Sequence, residues 1–341
     1  MFLFREECKR KREIDSVCEL LRRSEYNVHR LGEITQSSVL GCRVLRDRAS
    51  RTTTIDLVDS IEDLLRSYKD SSGVSYWDSE ITAPTPCDPK SQIPSSSMNA
   101  DNDEEKKVAA EYNYLSRIMS LMYISLVARP DISYAVGVAA RYSSSPGKAH
   151  IEWVERIFRY LRGTSNLKLT YSIDISKHTI DDVRLKIFSD TSWLDEKEHR
   201  YTTMGRAVFL GDCLIDWKSK LIKRVMTSIN HAEFYGMNES AKDAEFFRIF
   251  SGEIGIKNVA DRVEILGDNA KALSLAQGTL SHSDNRYYDL CLFYQRELFD
   301  LKRIFYTFVK GVVNVADYFT KGILFRSLDA NHKVRAMLGL R

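Results

Sequence analysis

The sequence predicts an α/β fold over residues 180–341, a mixed five-stranded sheet flanked by helices, preceded by a largely helical region. Three observations carry this. Three strand-like segments, "VRLKIFSD", "MGRAVFLG" and "CLIDWKSKLI", follow one another, with a Gly211-Asp212 turn between the last two. Helical and strand-like segments then alternate to the end of the chain, the pattern of a sheet covered by helices. Upstream, from residue 111 to 163, apolar residues keep helical spacing, broken at Arg129-Pro130 and at Pro146-Gly147.

Taken in order, residues 5–26 space Ile14, Val17, Leu20 and Leu21 as a short amphipathic helix. "IDLVDSIEDLLRSYKD" places Ile55, Val58, Ile61, Leu64 and Leu65 on one helix face. From Pro84 to Lys107 the chain is rich in Pro, Ser, Asp and Asn and poor in large apolar residues, which reads as a mobile linker. Helices follow at "AAEYNYLSRIMSLMYISLVA", "DISYAVGVAARYSS" and "AHIEWVERIFRYLRG". Beyond the three strands, "HAEFYGMNESAKDAEFFRIF" carries Phe234, Met237, Ala241, Ala244 and Phe247 on one side of a helix. Next come a strand "VEILGDN", helices "AKALSLAQ" and "YYDLCLFYQRELFDL", a strand "RIFYTFVKG" and a last helix opening at "NVADYFTKG". The expected division is 1–83, a linker at 84–110, a helical segment at 111–175 and the α/β domain at 180–341.

With 341 residues and 43% apolar content the chain has ample material for a core. A net charge of +3, with 28% charged residues of both signs, neither demands nor forbids a polyanionic partner. Cys8, Cys18, Cys42, Cys87, Cys213 and Cys291 form no CxxC pair, so neither a zinc site nor a disulfide framework is expected, and a reducing compartment is the simpler reading. The opening "MFLF" is too short for a signal-peptide core, and no apolar run approaches membrane-spanning length. The expected location is intracellular, cytoplasmic or nuclear, with no membrane partner.

Four acids end or abut these elements: Asp190 after the first strand, Glu233 at the start of the long helix, Asp268 after "VEILG" and Asp317 in the first turn of the last helix. If the first and fourth strands are neighbours, Asp190 and Asp268 share the crevice at the strands' carboxyl ends, where open α/β sheets hold ligands. Glu233 and Asp317 could reach it from helix starts. Such a cluster suits magnesium, a hard ion that takes carboxylate oxygens and keeps several waters. Two ions roughly 3.5–4 Å apart clamp the attacking and leaving oxygens of a phosphodiester displacement. Each acid also has a structural reading: a turn at Asp190 or in "GDN", a helix-dipole partner at Glu233, and a cap formed by Asn314 with Asp317.

Residues 114–171 closely resemble the segment between polymerase and ribonuclease H in copia-type LTR-retrotransposon polyproteins, through "SLMYISLVARPDISYAV", "PGKAH", Trp153 and "RYLRGT". Downstream, "FSDTSW", "TTMGRAVFLG", "IDWKSK", "AEFYGMNESAKDAEFFR", "LGDNAKAL", "HSDNRYYDL" and "VADYFTKGI" occur in that family's ribonuclease H order, and "LGEITQSSVLGCRV" looks like the end of its polymerase. The resemblance implies a ribonuclease H-like domain preceded by a largely helical, thumb-like reverse-transcriptase remnant at 1–83 and a connection segment at 111–175. It makes Asp190, Glu233, Asp268 and Asp317 the metal-binding, catalytic quartet, with two Mg2+ ions or Mn2+ in their place. The chain departs from the family at Ser192, where a second Asp is usual, and at Ile229, His231, Arg286 and Tyr287. The polymerase's aromatic-x-Asp-Asp hairpin is missing, and "TIDD" at 179–182 reads as a loop, so the chain is expected not to polymerise DNA.

Arg156, Arg159 and Arg162 on "HIEWVERIFRYLRG", with Lys218 and Lys220 in "WKSKLIKR", are candidate phosphate contacts, or else a solvated helix face and charges that deter edge pairing. His231 and His282 lie near the proposed site in sequence but are read as structural or surface residues. The implied function is hydrolysis of the RNA strand of an RNA–DNA hybrid, told apart by groove shape and the 2′-hydroxyl. Other retroelement polyprotein products are further partners. The alternative is a catalytically silent fragment that binds nucleic acid or protein. A transposase or integrase is disfavoured because the glutamate comes second in the acid order.

Overall fold

The computed structural model describes residues 36–39, 41–88, 92–172, 183–196, 198–253, 262–278, 289–321 and 335–341. The helix expected at 5–26, the "TIDD" loop, His282, Arg286 and Tyr287 lie outside the described residues.

The leading region is less helical than its sequence suggests. Strands β1 (Gln36–Val39), β2 (Cys42–Asp47) and β3 (Thr52–Asp56) form an antiparallel meander, closed by β4 (Leu169–Ser172) against β3. Ile55 therefore lies in β3, not on the helix that follows, α1 (Val58–Ser67), which buries Ile61 and Leu65. The strands are short, and Val44 is the one buried residue of β2, so their alternation is faint. The partner strand β4 comes far along the chain, and no local pattern encodes that pairing.

The helical unit comprises α2 (Asp103–Glu111), α3 (Tyr114–Val127), α4 (Ser133–Ala140) and α5 (Lys148–Arg162). Asn102 caps α2 by accepting from the Glu105 amide at 2.9 Å, and the His150 ring nitrogen Nδ1 accepts from the Gly147 amide at 3.0 Å at the start of α5. The prolines break the chain where expected: Pro130 opens a single 3-10 turn, and Pro146-Gly147 precedes α5.

The stretch expected as a linker is packed rather than free-running in its described residues. Thr85, Cys87 and Ala100 are buried, and the Ala100 amide donates to the Ser145 carbonyl at 3.4 Å. A Cβ on Gly147 would meet the Met98 carbonyl at 2.1 Å, so only glycine admits this close passage. Composition misled here because backbone contacts and small side chains hold the segment.

The second sheet has the order β7-β6-β5-β8-β9, from β5 (Leu185–Glu196), β6 (Tyr201–Leu210), β7 (Cys213–Ile222), β8 (Val263–Gly267) and β9 (Ile304–Phe308). β5, β6 and β7 are antiparallel, while β8 runs parallel to β5 and β9 parallel to β8. This is the expected mixed five-stranded sheet, of ribonuclease H-like type. The long helix α6 (Ile229–Glu253) buries Phe234, Met237, Ala241 and Ala244 against Leu185, Ile187 and Val208. Helices α7 (Ala270–Ala276) and α8 (Asp289–Asp300) complete that layer. The opposite face joins the core of the helical unit through Ala207, Phe209, Leu214 and Trp217, and the Trp217 indole donates to the Ser125 carbonyl at 2.8 Å. Among the described residues no helix is long and apolar enough to cross a membrane.

Candidate active site

β5 and β8 are parallel neighbours in the register Phe188 to Leu266, so Asp190 and Asp268, each two residues further on, emerge side by side. Asp190 does not end its strand as expected. β5 runs on to Glu196 and Asp190 pairs across from Gly205 of β6, which removes the turn reading for this acid. Glu233 comes from the second turn of α6. Carboxylate oxygens of Asp190, Glu233 and Asp268 lie within 4.8 Å of one another.

Two glycines set this geometry, and the sequence reading passed over both. Gly236 sits almost one turn after Glu233, and a Cβ there would meet Thr191 Cγ2 at 2.7 Å. Its absence lets α6 lie close enough to β5 to bring Glu233 to Asp190. On the other face, a Cβ on Gly205 would meet the Ala316 carbonyl at 2.4 Å and Thr320 Cγ2 at 2.6 Å. That room admits the 3-10 turn Val315–Phe319, which within the described residues stands where a last helix was expected. A glycine inside a strand pattern is the signal for such close approach.

The turn delivers Asp317, Thr320 and Lys321. Asn314 caps it, accepting from the Ala316 amide at 3.2 Å and donating to the Ser189 carbonyl at 3.1 Å. The Thr320 hydroxyl donates to Asp190 Oδ2. Asp317 stands apart from the other three acids: its carboxylate is half-exposed and pairs with the Lys321 ammonium, which lies 3.8 Å from Asp190 Oδ2.

The electrostatics are those of confined like charges. Burial, reinforced by Asp317 and Asp268 and opposed by Lys321 and Thr320, pushes the Asp190 carboxyl up to about 6. Burial and then the charges of Asp190 and Asp268 hold Glu233 well above the usual carboxylate range. Asp268 is raised as well, by burial and Asp317, against a backbone hydrogen bond and Lys321. Asp190 is 2% and Glu233 7% exposed. Hard oxygen donors so placed fit a divalent cation such as magnesium.

Other candidates fall elsewhere. Arg156 donates to the Thr85 carbonyl at 3.2 Å and lies 3.7 Å from Asp88; Arg159 pairs with Glu155 at 3.0 Å; Arg162 donates to the Trp77 carbonyl at 2.9 Å. Arg156 and Arg162 thus tie the segment around residues 77–88 to α5, while Arg159 pairs within the helix. Lys218 and Lys220 are exposed on the edge strand β7, and Lys220 pairs across from Met204, itself across from Thr191. Two strand spacings put Lys220 about 10 Å from Thr191 along the sheet. His231 is buried at the start of α6, its ring Nδ1 accepting from the Thr227 amide at 3.3 Å, in keeping with its structural reading. A second group of possible ligands, Glu196, Glu198 and His199, lies in the β5–β6 turn, where the Glu196 carboxylate already accepts from the amides of Glu198 and His199 at 2.9 Å.

No protein-family model matches the chain. It is 29% identical over 285 residues to the retrovirus-related Pol polyprotein of transposon TNT 1-94 from Nicotiana tabacum, covering 83% of this chain and 20% of that protein. It is 29% identical over 203 residues to the corresponding polyprotein of transposon RE1 from Arabidopsis thaliana, covering 60% of this chain and 13% of that protein. The chain thus spans a fifth or less of the length of these two relatives. Among solved structures, the N-terminal RNase H domain of a Mycobacterium tuberculosis protein aligns at 19% identity and TM-score 0.31, covering 44% of this chain and 97% of that one. A foamy viral protease-reverse transcriptase in complex with RNA/DNA hybrid aligns at 10% identity and TM-score 0.40, covering 90% of this chain and 34% of that one. By its sequence relatives and its own sheet topology, the chain is a homologue of the retrovirus-related Pol polyproteins of plant transposons and carries a ribonuclease H-like domain.

Proposed function

We propose that this chain is a divalent-metal-dependent ribonuclease H that cuts the RNA strand of an RNA–DNA hybrid. The observation that carries this is the convergence of Asp190, Glu233 and Asp268 within 4.8 Å, with Asp317 linked to them through Lys321. Asp190 and Asp268, side by side at the β5–β8 crevice, and Glu233 from α6 would hold the ions, with Asp317 as the fourth ligand. Magnesium, with manganese as a substitute, supplies an activated water and stabilises charge on the phosphodiester oxygens when bound. Thr320 orients Asp190 through its hydroxyl, and Gly205 and Gly236 keep the two flanking elements close to it. Lys218 and Lys220, exposed on β7, would contact backbone phosphates, which would give affinity that falls with salt.

Cleavage of a labelled hybrid is the test. Magnesium or manganese should be required, and single-stranded and duplex DNA should remain intact, because the substrate is recognised by A-like shape and the 2′-hydroxyl. Equal cutting of duplex DNA would defeat the proposal. Hybrid binding without cleavage under any metal condition would leave the silent, nucleic-acid-binding fragment as the better reading. A primer-extension assay should show no incorporation.

A further inference from the structure

Lys321 places a cation where the site has a surplus of anions. Its ammonium contacts Asp317 Oδ1 and lies 3.8 Å from Asp190 Oδ2, while half of its side chain remains exposed. Among the described residues, no other lysine or arginine ion-pairs with Asp190, Glu233, Asp268 or Asp317. The turn that carries it is fixed, because Asn314 ties it to the Ser189 carbonyl, Thr320 ties it to Asp190, and Gly205 leaves no space between it and β6. One short turn therefore brings Asp190 a hydroxyl donor and a positive charge together.

We propose that Lys321 is a tethered counter-cation, which offsets the charge of Asp317 and Asp190 in the metal-free protein and is displaced from them when a divalent ion enters. The inference rests on the metal-site reading above and concerns how that site loads. An ammonium is a compact single charge on a flexible four-carbon stem and can swing away without disturbing the fold. A magnesium ion competes for the same carboxylate oxygens, and repulsion between the two cations disfavours both at contact distance. Binding of the two is then coupled with a negative sign, and the coupling is reciprocal: whatever the lysine contributes to the empty site, the ion must overcome. Release of Lys321 also frees the Asp317 carboxylate, the one member of the quartet held apart, to join the other three. Lys321 acts through the carboxylates and is a positioning residue.

The test measures magnesium binding by titration calorimetry, and thermal unfolding in a chelator, for the native chain, Lys321→Met and Lys321→Arg. Lys321→Met should bind magnesium about tenfold more tightly, the scale of an ordinary coupling between sites. It should melt several degrees below the native chain without metal, and saturating magnesium should close that gap. Lys321→Arg keeps the charge and should behave as the native chain in both assays. Unchanged affinity together with unchanged metal-free melting in Lys321→Met would overturn the role of Lys321 alone. Failure of the native chain to bind magnesium or manganese would overturn the metal-site reading and this proposal with it.

Discussion

In the helical unit, the side chains of Arg129 and Asp131 are both buried and both matched, whereas at the sheet buried Asp190 and Glu233 and half-buried Asp268 crowd one another with like charge. Arg129 donates to Asp131 at 3.0 and 2.8 Å and to Thr164 at 2.9 and 2.7 Å, and the Tyr160 hydroxyl donates to Asp131 at 2.6 Å. Burial alone would raise Asp131, but Arg129 and Tyr160 outweigh it and hold the carboxyl below its usual range. At the sheet the balance has the other sign, and all three carboxyls are pushed up. A matched buried pair serves the fold. A cluster with a surplus of like charge costs the fold stability, which is the pattern the proposed metal site would require.

Removing one partner from each cluster should therefore act in opposite directions. Arg129→Met leaves Asp131 buried without its cation and should destabilise the chain by about 3–5 kcal/mol, read as a lower denaturation midpoint. Gly205→Ala forces a Cβ into the Ala316 carbonyl and Thr320, and should cost about 1–3 kcal/mol while pushing the Asp317 turn off the sheet. Asp190→Asn relieves repulsion and should raise metal-free stability at neutral pH by about 1 kcal/mol, a gain that magnesium abolishes for the native chain only.

The pH dependence sharpens the contrast. The Asp190 carboxyl sits at about 6 in the folded chain, above its ordinary value of 3.8. The folded chain thus holds a proton that the unfolded chain has released, and metal-free stability from this group falls as pH rises through that window. Asp131 is lowered, so its contribution is present above the ordinary value and is lost as pH falls. The melting gap between Asp190→Asn and the native chain should widen in favour of the variant between about pH 4 and 6 without metal, and level off above. The smallest effect is expected at the arginines of α5: Arg156→Gln should lower stability modestly through its lost ties to Thr85 and Asp88, and leave hybrid affinity unchanged.

Much of the α/β half was legible because its elements are long and strongly patterned. "CLIDWKSKLI" is a strand over its whole length, and the long helix extends the expected one by two residues at its start and three at its end. The four-stranded sheet was not legible, since β1 to β3 are short and half-buried and β4 lies on the far side of the helical unit. At the site, the acids drew notice by a supposed place at element ends, which holds for Asp268 but not for Asp190, inside β5, or Glu233, in the second turn of α6. Thr320 and Lys321 drew none, because their importance arises only once Gly205 lets their turn pack against β6. Arg156 and Arg162 of α5 show the reverse: regular spacing suggested a surface, and the packed segment at 77–88 takes up their donors.

The central claim is that Asp190, Glu233, Asp268 and Asp317 act on one reaction as a unit, and hybrid cleavage by single and double variants tests it most directly. Asp268→Asn should lower the magnesium-dependent rate by about a thousandfold or more, while hybrid affinity measured in calcium and the melting curve stay close to native. Adding Asp190→Asn should cost little beyond that, because groups that act together are not additive. Asp268→Asn retaining most of the activity, or unfolding the domain, would contradict the account and leave Asp268 a turn residue after β8.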